Sequence, residues 1–196
     1  MNTRERQREQ TRTRLYEAAL AVFREQGSAA ARIDDIASRA GVSRGTFYFH
    51  YPSKEDVLVQ LMQESQAQMV DRLDALDPDC SLDVVLGEVA RAMAHQWEED
   101  ARLLAEIGMV ALRRTAQNLE ELDGSHPVQA ALVSWFERAS ERGEVAGLIP
   151  PALLSEFFLV NLFGAALAWC GNPMVPLGDL LDNVVRFFLR ASDHPS

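Results

Sequence analysis

Apolar residues recur at helical spacing along the whole chain. Leu15, Ala18, Ala19, Val22 and Phe23 fall at i, i+3, i+4, i+7 and i+8, an amphipathic stripe, and Gly27 supplies a C-terminal stop. A short segment from Ile33 to Ala40 follows, closed by Gly41, and another runs from Ser43 to about Tyr48. Ser53-Lys54-Glu55-Asp56 resembles a capping box opening a long helix through Leu58, Leu61, Met62, Ser65, Met69 and Leu73, with Pro78 closing it. Leu82, Leu86, Val89, Met93 and Trp97 form the next stripe, and Leu103, Ile107, Val110 and Ala111 another. Gly124 and Pro127 punctuate before Val128, Ala131, Leu132, Trp135, Phe136 and Ala139, and Gly143 stops that helix. Pro150-Pro151 opens the most apolar stretch, Asn172-Pro173 breaks it, and Leu177, Leu180, Leu181, Val184 and Phe188 form the last stripe. No segment shows the sustained alternation of a strand. The pattern predicts an all-α protein of about nine helices.

The apolar stretch raises the question of a membrane. From Phe157 to Cys170 only Asn161 is polar, and Ser155 and Glu156 interrupt the stretch on its N-terminal side. A spanning helix needs about 20 predominantly apolar residues, so the stretch reads as too short. A helix apolar on nearly all sides is expected to be buried on all sides. A subunit interface involving residues 151–170 and 177–190 is the simplest way to achieve that.

Composition narrows the class further. With 47% hydrophobic and 24% charged residues, the 196-residue chain is expected to be globular and able to bury a core without disulfides. Cys80 and Cys170 cannot build a disulfide framework or a four-thiolate zinc site, which points to a reducing cytoplasm. The polar start MNTRERQREQ does not read as a secretory signal.

The net charge of −10 argues against nucleic acid only when taken as one number. Residues 1–52 hold nine Lys/Arg against six Asp/Glu, a net of +3, and residues 53–196 hold ten against twenty-three, a net of −13. A basic head is joined to an acidic body, with the boundary expected between residues 52 and 53. The acidity either repels DNA and orients the encounter through the head, or serves solubility.

Residues 33–51, IDDIASRAGVSRGTFYFHY, meet the requirements of a helix-turn-helix, whose second helix enters the DNA major groove. Ile36 and Ala37 supply the inner face of the first helix. Gly41 suits the left-handed conformation such turns need, and Val42 can plug the angle between the helices. Ser43 can cap the second helix, whose first turn offers Arg44, Gly45 and Thr46. Gly45 lets a backbone approach closely, and arginine is the residue type suited to bidentate contact with guanine. The alternative is two core helices of an ordinary bundle.

From Ile33 to Leu58 the sequence IDDIASRAGVSRGTFYFHYPSKEDVL resembles the DNA-binding head of TetR-family transcriptional regulators, whose pattern is close to (V/I)xxIAxxAGVSxGTxYxHFxSKExL. The matches are Ile36-Ala37, Ala40-Gly41-Val42-Ser43, Gly45-Thr46, Tyr48, His50 and Ser53-Lys54-Glu55, all in register. Recognisable similarity covers Thr11 to about Leu58; beyond it the chain agrees only in length and helical character. The resemblance implies a homodimer with an N-terminal reading head and a C-terminal ligand-binding and dimerisation domain. It implies that Arg44 and Thr46 face bases, and that Tyr48, His50 and Lys54 face phosphates. One departure is that Ala31 and Arg32 stand where the family often has Thr. Arg32 can replace that phosphate contact electrostatically, without the hydroxyl cap. Tyr51 stands where Phe is usual, and Phe49 fills a variable site.

The remaining signals are weaker. Gly41-Val42-Ser43-Arg44-Gly45 spells a nucleophile elbow, but that motif needs a strand before it and a sheet beneath it, so no enzyme is expected. His50, His95, His126 and His194 are far apart and neither cysteine has a metal-ligand partner, so no metal or cofactor is expected. Arg4, Arg8 and Arg12 share a face if the N-terminal arm is helical, suiting it to DNA; the alternative is a solvated tail. Met93, Trp97, Met109, Trp135, Phe158, Asn161 and Trp169 are candidates to line a small-molecule pocket, or else to fill the core. Glu98-Glu99-Asp100 reads as a solvated turn between helices. The leading expectation is a cytoplasmic, ligand-responsive regulator, a repressor by resemblance, that binds a palindromic operator as a dimer and is released by a small-molecule effector. The rivals are a helical small-molecule-binding or scaffolding protein without DNA binding, and a DNA-binding dimer with no effector.

Overall fold

The computed structural model describes residues 2–117, 127–145 and 149–192, and among these every regular element is an α-helix. In chain order they are α1 (Thr3–Gln26), α2 (Ile33–Ala40), α3 (Arg44–His50), α4 (Glu55–Asp74), α5 (Leu82–Gln117), α6 (Pro127–Glu141), α7 (Pro151–Gly171) and α8 (Leu177–Ser192). The backbone of α5 leaves helical geometry at Asp100 (φ −152°, ψ 54°), so it is two helices joined at a kink. Counting both gives nine helical segments among the described residues, as the hydrophobic periodicity predicts. Gly124, His126 and His194 lie outside the described residues, as do the side chains of Glu99, Val110 and Ala111.

The chain packs as two compact units. The first comprises Met1–Gln63 with Arg102–Arg114, and the second Glu64–Ala101 with Thr115–Ser196. Both α4 and α5 therefore run from one unit into the other.

In the first unit, α1 begins at a capping box. The Asn2 side chain accepts from the Arg4 backbone N–H, and Glu5 accepts from the Asn2 backbone at 2.8 Å. The arm is thus helical, with residues 2–10 exposed to solvent. The predicted stripe is the buried one, with Leu15, Ala19 and Phe23 packed on Ile36 of α2, Phe47 of α3 and Leu58 of α4. Leu103 and Ile107, from the second half of α5, complete the same core. The Glu106 carboxylate accepts from the Ser28 backbone N–H at 2.8 Å, tying that half of α5 to the turn after α1. At the start of α4, Asp56 accepts from the backbone N–H of Ser53 at 2.9 Å and from its hydroxyl at 2.7 Å, which is the return bond of the expected capping box.

The second unit is centred on aromatic packing. Phe188 of α8 lies against Phe158 of α7 and Phe136 of α6, with centroids 5.4 and 6.0 Å away, and Trp97 of α5 stands edge-on to Phe163 of α7. On α8 the buried row is Leu177, Leu181, Val185 and Phe188, so Val185 takes the place expected of Val184. Glu98 accepts from the Leu177 backbone N–H at 3.0 Å beside the kink, giving one member of the expected acidic turn a structural partner.

One expectation about α7 is corrected. The helix opens at Pro151, as expected, but its 21 residues are by length and composition alone long and apolar enough to cross a membrane, where the stretch read as too short. Ser155 and Glu156 do not interrupt the helix: the Ser155 hydroxyl is buried and donates to the Ala152 carbonyl at 2.9 Å, and Glu156 is exposed. Within one chain the helix is buried on one side. Leu154, Phe158, Leu162 and Ala166 face inward, whereas Leu153, Phe157 and Val160 are exposed, Val160 at 62%.

Candidate nucleic-acid interface

The helix-turn-helix forms where its residues require it. Gly41 takes the left-handed conformation (φ 67°, ψ 38°), and the turn closes by bonds from Gly41 N–H to Ser38 O and from Val42 N–H to Ala37 O. A Cβ at Gly41 would meet nothing within 4 Å, so the requirement there is conformational and not spatial. Val42 packs, partly buried, against the head core. Ser43 caps α3, its Oγ accepting from Thr46 N–H at 3.1 Å and pairing with Thr46 Oγ1 at 2.9 Å. Phe47 is the inward anchor of α3 and is fully buried. The rest of the helix is thereby turned outward on a rigid base.

On that outer face Arg44 lies between two partners. Its Nη1 is 3.6 Å from Asp34 Oδ2, on the first turn of α2, and its Nη2 donates to Tyr48 Oη at 3.4 Å. The Tyr48 hydrogen bond and the Asp34 charge both hold the guanidinium in its charged form. Arg32, Asp34, Arg44, Tyr48, Ser53 and Lys54 line one concavity of about 410 Å³. Four predicted contact residues, Arg32, Arg44, Tyr48 and Lys54, are thus brought together. Arg32 stands at the N-cap of α2 without a side-chain cap bond, as expected from the missing hydroxyl. Gly45 is exposed, and a Cβ there would meet only Ser43 Oγ at 3.7 Å, so the space it leaves open faces outward.

Lys54 has a role the sequence did not suggest. Its Nζ donates to the carbonyls of Ala29 and Ala31 at 3.1 and 3.0 Å, strapping the segment before α2 to the start of α4. His50 faces the other edge of α3. Burial lowers its pKa, the Arg8 and Arg12 charges lower it further, and Glu9 opposes them, so the ring is neutral near pH 7. Phe49, a variable site by sequence, is 66% exposed beside His50, with the Arg8 guanidinium 5.1 Å from its ring centroid. The arm's cationic face is accordingly carried onto the same edge of the head. Only the packing of α1 on α3 reveals it.

The model of the bacterial regulatory proteins, tetR family, matches residues 15–61, from the buried stripe of α1 through the helix-turn-helix into α4. Over this stretch the chain is similar to regulators of the TetR family. It is 35% identical over 60 residues to the fatty acid metabolism regulator protein of Bacillus subtilis, a match covering 31% of each chain. To the transcriptional regulator UidR of Escherichia coli it is 25% identical over 166 residues, 84% of each chain. The fold is similar to that of FadR from Bacillus subtilis, solved in complex with stearoyl-CoA, with a TM-score of 0.74, 22% identity, and coverage of 93% of this chain and 99% of that one. For the first three curated relatives the match spans only 27 to 42% of their length.

The residues suggested for a ligand pocket are divided between the two units. Met109 lies in the segment of α5 that belongs to the first unit and is exposed; the other six belong to the second. Trp97, Trp135 and Phe158 are buried, with Arg138 stacked 3.8 Å from the Trp135 ring centroid. Met93 is half-buried. Asn161 is exposed and its amide donates to the Phe157 carbonyl of its own helix at 2.7 Å, while Trp169 Nε1 donates to Val175 O at 2.7 Å. For these residues core packing and local hydrogen bonds account for most of what the structure contains.

Proposed function

We propose that the chain is a cytoplasmic, non-enzymatic transcriptional regulator that represses by binding a palindromic operator as a homodimer and is released by a small-molecule effector. The observation that carries the reading is the outward face of α3, where Arg44, Gly45 and Tyr48 stand exposed on a capped helix anchored by Phe47. A helix so presented suits the major groove, and a two-fold dimer places two such helices on successive turns of one side of the duplex. Arg44 and Thr46 are assigned to bases. Arg32, Tyr48, His50 and Lys54 are assigned to the backbone, with Ser43 and Gly45 shaping the approach.

The division of labour assigned to the chain is DNA reading by residues 1–52 and effector binding with dimerisation by residues 53–196. The exposed Leu153, Phe157 and Val160 of α7, with Phe187 of α8, support pairing of residues 151–170 and 177–190 with their mates. The stearoyl-CoA bound to the similar FadR supports an effector pocket within the helical body. Release requires that the effector bind the DNA-incompetent state more tightly, and α4, which runs from one unit into the other, is the element assigned to carry that change.

Titration of the protein with duplex from its own promoter region at several salt concentrations tests the reading. Binding should weaken steeply as salt rises. Arg44→Ala should lose about 1–3 kcal/mol per half-site and relax one base preference. Absence of salt-dependent binding, or an Arg44→Ala titration identical to wild type, would contradict it.

A further inference from the structure

The pairing of Arg44 with Asp34 has chemistry beyond that of an arginine alone. Both side chains are largely exposed, 60% and 53%, on adjacent helices of the same outer face. Their 3.6 Å separation is longer than the roughly 2.7–2.9 Å of a charge-assisted hydrogen bond, and the Arg44–Tyr48 contact at 3.4 Å is also loose. The guanidinium is therefore oriented by two neighbours without having its N–H groups committed to either. Exposure keeps the ion pair weak, so it opens readily when a better acceptor arrives.

Side by side, the two groups offer guanidinium N–H donors and, 3.6 Å from Nη1, a carboxylate oxygen as acceptor, the set needed for a donor, donor, acceptor row. The major-groove edge of a G·C pair presents the complement, with guanine N7 and O6 as acceptors and the cytosine 4-amino group as donor. An A·T pair places the adenine 6-amino donor against the guanidinium and the thymine O4 acceptor against the carboxylate. We propose that Asp34 and Arg44 together read one G·C pair in each half-site, making Asp34 a specificity-determining residue. This rests on the DNA-binding reading above. A carboxylate on this surface repels phosphates, so Asp34 also suppresses binding to sequences that offer no amino group to compensate it. It trades affinity for selectivity.

The test uses the full chain and its Asp34→Asn variant, which keeps the size and leaves Asp35 at the N-terminus of α2. Both are carried through selection from a randomised duplex library, then titrated on the selected site and on single-pair variants of it. Wild type should select G·C at one symmetric position per half-site. Asp34→Asn should lose about tenfold of the discrimination at that position, the scale of one charge-assisted hydrogen bond. It should also bind unrelated duplex more tightly, and Asp34→Glu should restore the weak non-specific binding. In an Arg44→Ala background, Asp34→Asn should leave the base preference at that position unchanged. The inference is overturned if Asp34→Asn selects the same sites with the same discrimination as wild type, or if its effect persists without Arg44. If wild type itself selects no sequence and binds without salt dependence, the DNA-binding reading falls with it.

Discussion

Tyr51 donates its phenolic proton to Gln60 Oε1 across 2.8 Å, joining the residue that ends α3 to the first turns of α4. Arg12 of α1 reaches the same oxygen at 2.9 Å, with its guanidinium over the Tyr51 ring. The position where the family usually has Phe thus gains a polar tie among three helices of the head. Tyr51→Phe should cost about 1 kcal/mol of stability, read as a lower urea midpoint with an unchanged slope. An unaltered midpoint would show that Arg12 satisfies Gln60 unaided.

Lys54 carries two separable expectations. Losing its bonds to the Ala29 and Ala31 carbonyls should destabilise Lys54→Ala by about 1–2 kcal/mol. Losing a phosphate contact should weaken binding to all sequences alike and shallow the salt slope by about one. Unfolding and salt-titration measurements on the same variant separate the two. A destabilised variant with an unchanged slope would confine Lys54 to its structural strap.

His50 sets a pH dependence of known sign. Its folded pKa is lowered by burial and by Arg8 and Arg12, so the unfolded chain binds the proton more readily. The stability His50 contributes should be complete above the ordinary histidine pKa of about 6.5. It should decline as the pH falls from there through the folded value. Histidine resonances followed by NMR should place His50 below about 6.5, and His50→Gln should flatten the fall in stability as the pH drops below that value. A His50 titrating at or above the ordinary value would contradict this.

The outward face of α7 should be sensitive to charge if it is a subunit contact. Val160→Glu places a carboxylate at the most exposed apolar position of that helix, and removing it from water in an interface carries a large penalty. Sedimentation equilibrium should show the variant as a monomer at concentrations where wild type is a dimer. A dimer of undiminished affinity would assign the face elsewhere.

The head was legible in the sequence because its determinants are local. The Leu15–Phe23 stripe, the left-handed Gly41 and the Ser43 cap each act within a few residues of themselves, and each stands as expected. What was not legible depends on residues far apart in sequence. Lys54 meets carbonyls more than twenty residues earlier, and Leu103 and Ile107 complete a core begun at Leu15. Periodicity correctly found two stripes in α5 but could not say that the second packs with the head. The length of α7 was misread for a related reason: composition counts Ser155 as polar and cannot show that its hydroxyl is satisfied within the helix.

That a single head is assembled from two stretches of chain bears on how such proteins can be taken apart and recombined. A fragment ending after Gln63 would lack Leu103 and Ile107 and would leave the Ser28 N–H without the Glu106 carboxylate. It should unfold at lower denaturant than the first unit does in the intact chain. Grafting this head onto another body would for the same reason require the matching segment of the body's helix. The reading specificity and the helix that supports it are inherited as one piece.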